Sequence, residues 1–164
     1  KIHKAIEYIK SLDVNHDGAI SPMSHGGTQY FEDFKVSMVN AVHGSGINDS
    51  DSENLVYGGI ASGLILKFND DITVYHAGDT SVFGDMSLIS DIYKPDLCMI
   101  PIGDHFTMGV DEAVYATKLI KAKTYIPIHY GTFPVLTGDP NEFKKRVESH
   151  GNSKVIIMNS GDEI

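Results

Sequence analysis

The stretch Ile72-Thr73-Val74-Tyr75-His76-Ala77-Gly78-Asp79-Thr80 runs through β-branched and aromatic residues and then turns over small residues onto a carboxylate. Such residues suit a pleated, buried surface, so it reads as a strand that delivers Asp79 at its end. Two other stretches do the same: Val39-Asn40-Ala41-Val42 runs into His43, and Tyr125-Ile126-Pro127-Ile128 into His129. One polar residue at a strand end is ordinary turn chemistry. Three of metal-ligand type form a pattern, because strands in a sheet lie about 4.8 Å apart and bring distant residues to one edge. Rigid strands also hold such residues accurately.

Working outward, Leu55 to Phe68 and Asp71 to His76 read as paired strands around the turn Asn69-Asp70. Upstream lie a strand and turn through Thr28 to Asp33, then a strand from Phe34 to Val42. Gly44 to Asn54, rich in Ser, Asp, Asn and Gly, reads as an exposed loop beside a site. Downstream, helical and strand patterns alternate: a helix over Met86 to Tyr93, a strand over Asp96 to Ile102, a helix over Asp111 to Lys121 and a strand over Thr124 to His129. A last helix starts at Asp139-Pro140 with Glu142 placed to complete a capping box, stops at Gly151, and is followed by a strand from Lys154 to Met158. Helices then pack on a sheet, which is the α/β class. At the start, Ile2, Ala5, Ile6, Ile9 and Leu12 recur at helical spacing.

With 164 residues, 41% of them hydrophobic, the chain is expected to form one domain over residues 1–164. A net charge of −9 argues against a nucleic-acid surface. The cluster Lys144-Lys145-Arg146 lies between Glu142 and Glu148 and reads as a solvated helix face. Cys98, inside Leu97-Cys98-Met99-Ile100, reads as a buried structural thiol. A single cysteine forms no internal disulfide, and a cytoplasmic location is expected. No apolar run has the length to cross a membrane.

Three motifs carry the chemistry: Tyr75-His76-Ala77-Gly78-Asp79-Thr80, Pro101-Ile102-Gly103-Asp104-His105-Phe106-Thr107-Met108-Gly109, and Ile126-Pro127-Ile128-His129-Tyr130-Gly131-Thr132-Phe133. Together with Asn40-Ala41-Val42-His43 they resemble the metallo-β-lactamase superfamily, most closely its small prokaryotic branch of metal-dependent hydrolases similar to the ascorbate-lactonase type. The resemblance implies a four-layer αββα sandwich, here in part, with two divalent metal ions, Zn foremost and Mn or Fe as alternatives. His43 matches a ligand of the first metal, Asp79 the bridging carboxylate and His129 a ligand of the second. Imidazole and carboxylate suit these metals, and a shared anion offsets the repulsion between ions about 3.5–4 Å apart. The implied activity is hydrolysis by a metal-bound hydroxide of a small-molecule ester, lactone, amide or phosphodiester.

Around these residues, His76 is expected to support the ligands by hydrogen bonding. His105 is placed to shuttle a proton, contact substrate or cap the following helix, while Asp104, Thr107, Met108, Tyr130 and Phe133 are expected at the substrate pocket. The family's His-x-His-x-Asp-His loop is not found between Lys1 and Ile164. The expectation is therefore a C-terminal two-thirds of such a hydrolase, inactive alone, which associates with the missing N-terminal segment or with further copies of itself. A rival reading is a non-catalytic module of the same fold. Asp13, Asn15, Asp17 and Gly18 match the start of a calcium-binding EF-hand loop, but Ser24 stands where a bidentate Glu belongs and Pro22 disfavours the exiting helix. His16 and His25 are expected to be exposed there.

Overall fold

The computed structural model describes residues 22–48 and 54–164. The expected first helix, His16 and most of the Asp13 to Ser24 loop lie outside the described residues. In chain order the strands are β1 (Thr28–Tyr30), β2 (Phe34–Asn40), β3 (Gly46–Asn48), β4 (Leu55–Tyr57), β5 (Ser62–Phe68), β6 (Thr73–His76), β7 (Leu97–Pro101), β8 (Thr124–Ile128) and β9 (Lys154–Val155). The helices are α1 (Met86–Tyr93), α2 (Val110–Ile120) and α3 (Pro140–His150).

Seven strands form one sheet in the order β1-β2-β5-β6-β7-β8-β9. From β1 to β6 neighbours are antiparallel, and from β6 to β9 they are parallel. A parallel pair needs a long crossover, and α1, α2 and α3 supply the three. The alternation of side chains along each strand decides which face they cover. Ile65, Tyr75, Cys98 and Tyr125 occupy one row of the sheet and are buried, in one cluster with Met86 and Ile89 of α1, Ala116 and Ile120 of α2, and Phe143 and Val147 of α3. Full burial of an apolar side chain such as Phe143 stabilises the fold by about 1.5–3 kcal/mol. Hydrogen bonds tie the helix layer to the sheet and to itself: the Ser90 hydroxyl donates to the Ile120 carbonyl at 2.5 Å, and the Tyr125 hydroxyl donates to the Thr117 carbonyl at 3.0 Å.

On the opposite face Met38, Leu64, His76, Met99 and Ile126 form a row that is less covered, with Leu64 exposed. The described residues thus build a mixed α/β fold of one sheet and one helix layer, two of the four layers of an αββα sandwich.

Several boundaries differ from the sequence reading. The passage expected as a loop from Gly44 holds β3, which pairs with β4 in a separate two-stranded ribbon. Its polar composition hides a strand too short to show alternation. The single strand expected over Leu55 to Phe68 is accordingly two, β4 and β5, interrupted at Gly58-Gly59. The last strand covers Lys154–Val155 alone, because only Thr124 and Tyr125 of β8 pair with it. At the start of α3 the Asp139 side chain accepts from the Asn141 N–H at 2.8 Å, but Glu142 faces Arg146 at 3.3 Å rather than closing a capping box.

Candidate metal centre

Because β2 and β6 are each antiparallel to β5, β2 points the same way as β6, β7 and β8. Their C-terminal ends therefore share one edge of the sheet, the edge at which open α/β sheets bind ligands. His43 follows β2, Asp79 follows β6, Asp104 and His105 follow β7, and His129 follows β8 directly.

Thr80 locks these loops together. It is fully buried, its hydroxyl accepts from the Val42 N–H at 2.9 Å and donates to the Ser81 carbonyl at 2.8 Å, and its carbonyl accepts from the Met108 N–H at 3.1 Å. The Ser81 N–H in turn donates to the Val42 carbonyl at 3.0 Å. One residue thus fixes the segments beside His43, Asp79 and the Asp104 loop. The sequence reading gave Thr80 no role. The only signal is that threonine in a turn bonds nearby backbone.

Asp79 and His129 are brought together, with the Asp79 Oδ2 3.7 Å from the His129 Nε2. That is too long for a hydrogen bond. Two donors each about 2.1 Å from one zinc ion lie about 3.4 Å apart at the tetrahedral angle, so the spacing fits a pair that shares a cation. The turn into Asp79 is set by Gly78, whose φ of 69° lies in the left-handed region and whose Cα side faces the Ser62 carbonyl without room for a Cβ. The Gly78 N–H donates to the His76 Nδ1 at 3.1 Å, so His76 braces that turn. His129 itself has φ 57°, and its carbonyl sits against the Cα of Gly103. Its Nδ1 is buried with no hydrogen-bond partner among the described residues.

His43 stands on the same edge and is exposed. Its Nδ1 is 2.7 Å from the Gly44 carbonyl, which only accepts; Nδ1 therefore carries a proton, and in the neutral ring the lone pair is on Nε2. Among the described residues no group of three or more His, Cys, Asp or Glu side chains is close enough to hold one ion, so His43 is not drawn in with the other two.

The loop after β7 begins with Asp104 and His105, both left-handed at φ 65° and 56°. The Asp104 Oδ1 accepts from the His105 N–H at 2.7 Å, and the Asp104 N–H closes the loop onto the Met108 carbonyl at 3.0 Å. His105 is exposed and stacks edge-on against Phe106 at 4.4 Å. Met108, expected at the substrate pocket, is instead fully buried in the core, since its loop is pulled inward by the bond to Thr80. Thr107 is half-buried with its hydroxyl unpartnered among the described residues, Tyr130 packs against the core and Phe133 is exposed. His25, expected to be exposed, is half-buried because its Nε2 bonds the Ser62 hydroxyl at 2.8 Å. Cys98 is buried as expected, and burial pushes its thiol well up from the ordinary range.

Residues 5–130 match the family model described as the beta-lactamase superfamily domain. The chain is 52% identical over 129 residues to a protein named UPF0173 metal-dependent hydrolase in Koribacter versatilis, covering 79% of this chain and 54% of that one. It is 47% identical over 163 residues to another of that name in Methanosarcina barkeri, covering 99% of this chain and 68% of the relative. Among solved structures it is similar to Igni18, a metallo hydrolase from the hyperthermophilic archaeon Ignicoccus hospitalis, with a TM-score of 0.75 and 34% identity over 98% of this chain and 64% of that chain. The chain belongs to the beta-lactamase superfamily, in the branch formed by the UPF0173 metal-dependent hydrolases. It spans between about half and two-thirds of the length of these relatives.

Among the described residues no helix is long and apolar enough to cross a membrane.

Proposed function

We propose that the protein is a metal-dependent hydrolase of small molecules, with Asp79 and His129 among the ligands and His43 contributing its Nε2. The observation that carries this reading is the 3.7 Å approach of the Asp79 carboxylate to the His129 imidazole at the edge where four strands end. The donor chemistry, imidazole with carboxylate, suits Zn and also Mn or Fe, and Asp79 has two oxygens with which to serve two ions. When bound, such ions supply Lewis acidity and an acidified water for attack on an ester, lactone, amide or phosphodiester.

The chain's own residues do the positioning. Gly78 and His76 hold the Asp79 turn, Gly103 seats His129, and Thr80 keeps the loop of His43 in register with both. His105, exposed beside Phe106, is placed to exchange a proton with a departing group. Zinc titration of the metal-free protein tests the assignment, together with turnover of a panel holding one substrate of each class. Asp79→Ala and His129→Ala are each expected to weaken zinc binding at least tenfold and to abolish turnover. Zinc affinity unchanged in both variants would overturn the ligand assignment.

A further inference from the structure

More than half of the exposed large apolar side chains among the described residues lie in the three loops that leave β2, β7 and β8 at the donor edge. Singly scattered apolar residues need no explanation, but a concentration around one site marks a binding surface. The ribbon of β3 and β4 follows His43 closely and shows Ile47, Leu55, Tyr57 and Ile60 to solvent, Tyr57 at 61% and Ile60 at 65% exposure. Phe106 neighbours His105, and Phe133 stands in the loop after His129 at 63% exposure.

These groups are held out rather than left loose. In the loop after β8 the Gly131 N–H donates to the Leu136 carbonyl at 3.2 Å and the Leu136 N–H to the Phe133 carbonyl at 2.9 Å; Leu136 turns into the core while Phe133 stays at the tip. The Gly58 N–H donates to the Ser45 carbonyl at 2.8 Å and anchors the ribbon beside the His43 loop. Edge-on contact with His105 orients Phe106.

Cationic side chains are placed elsewhere. The loops at the donor edge, residues 41–61, 77–85, 102–109 and 129–139, contain no Lys or Arg, whereas Lys67, Lys94, Lys121 and Lys123 line a cleft at the other edge of the sheet together with Asp71, Asp91 and Asp96. Apart from the metal ions, an anionic substrate finds no cationic side chain on these loops to pair with, and an uncharged apolar one needs none.

We propose that the substrate is an uncharged ester, lactone or amide bearing an alkyl or aryl group, which docks against the ribbon and the loops carrying Phe106 and Phe133. This rests on the hydrolase reading above and narrows it by setting the phosphodiester aside. The apolar side chains supply the affinity, and their fixed positions limit the ordering cost on binding.

Two measurements test it. Calorimetric titration of the metal-free protein with octanamide, acetamide and phenyl phosphate reads the surface without the reaction; octanamide is expected to bind at least tenfold more tightly than either, and the double substitution Tyr57→Ser/Phe133→Ser to remove most of that difference. With metal-loaded protein, p-nitrophenyl octanoate is expected to exceed p-nitrophenyl acetate at least tenfold in kcat/KM, chiefly through KM. Phenyl phosphate binding as tightly as octanamide would overturn the proposal. So would a dimer in sedimentation that the double substitution dissociates without changing the ligand preference, since the surface would then serve a second copy. If octanamide binds as expected but Asp79→Ala keeps both metal and turnover, the ligand assignment fails and the apolar surface stands.

Discussion

Tyr75 and Tyr125 lie in one row of the sheet, Tyr75 opposite Cys98 and Cys98 opposite Tyr125, and both are fully buried. Their hydroxyls meet different fates. The Tyr125 hydroxyl donates to the Thr117 carbonyl at 3.0 Å and accepts from the Ala122 N–H at 2.9 Å, which ties the end of α2 to β8. The Tyr75 hydroxyl has no partner among the described residues. Tyr125→Phe removes two hydrogen bonds worth about 1 kcal/mol each and strands the buried Ala122 N–H, so a loss of about 2–3 kcal/mol is expected. In a domain of this size that lowers Tm by about 4–12 °C. Tyr75→Phe removes a hydroxyl that is desolvated without compensation, and its expected effect runs from nothing to about 1 kcal/mol of stabilisation. Urea unfolding followed by circular dichroism compares the two, with equal slopes showing that the unfolded states are alike. An equal loss in both variants would refute the reasoning, because the Tyr75 hydroxyl would then have to be bonded in the fold.

Gly103→Ala places a methyl against the His129 carbonyl, a backbone atom that cannot swing aside, and 3.2 Å from the His129 Nδ1; a loss of about 1–3 kcal/mol and weaker zinc binding are expected. Gly84→Ala meets open space and is the control, expected within about 0.5 kcal/mol of the parent in the same urea assay. Thr80→Val keeps the shape but leaves the Val42 N–H without its acceptor, at about 1–3 kcal/mol, and hydrogen exchange at Val42 and Ser81 is expected to speed up while the β7 and β8 amides stay protected. Burial raises the Cys98 thiol above 9.0 and the Tyr75 and Tyr125 phenols above 10.0. These groups thus contribute stability in full below pH 9; above it the unfolded chain releases protons that the folded chain keeps, and stability falls by up to about 1.4 kcal/mol per pH unit for each. Melts between pH 8 and 11 check this, and Cys98→Ala is expected to move the onset up toward pH 10.

The parallel half of the sheet was legible in the sequence because each of its elements is punctuated. Asp139-Pro140 opens α3 and Gly151 closes it, and Ile128 hands over to His129 at the very residue where β8 ends. The ribbon was not legible, since a three-residue strand such as Gly46–Asn48 shows no alternation and its pairing with Leu55–Tyr57 spans a polar stretch. For the site, residue type and strand-end position pointed to Asp79 and His129, which the fold does bring together. The same reasoning misplaced Met108, because nothing local reveals that its N–H is captured by Thr80 on another loop. Spacing names the residues at an edge. Which of them turn inward depends on bonds between loops far apart in sequence.

Those bonds bear on how His129 is aimed. An imidazole that binds metal through one nitrogen is ordinarily oriented by a hydrogen bond at the other. Here the other nitrogen, Nδ1, is buried, and no residue among those described bonds it. Orientation falls instead to the backbone: His129 is held left-handed at φ 57°, a conformation that costs a non-glycine residue about 1–3 kcal/mol and persists only where its surroundings impose it. The Ile102 N–H donating to the Ile128 carbonyl at 3.1 Å, and Gly103 closing on the His129 carbonyl, impose it from β7. Asp104 and His105, the next residues of that loop, are left-handed as well, so three of the six left-handed non-glycine residues among those described stand where β7 and β8 leave the sheet. If His129 is a ligand as proposed, its aim is set by close packing against a glycine, and a single added methyl at Gly103 reaches the metal site without touching any donor atom.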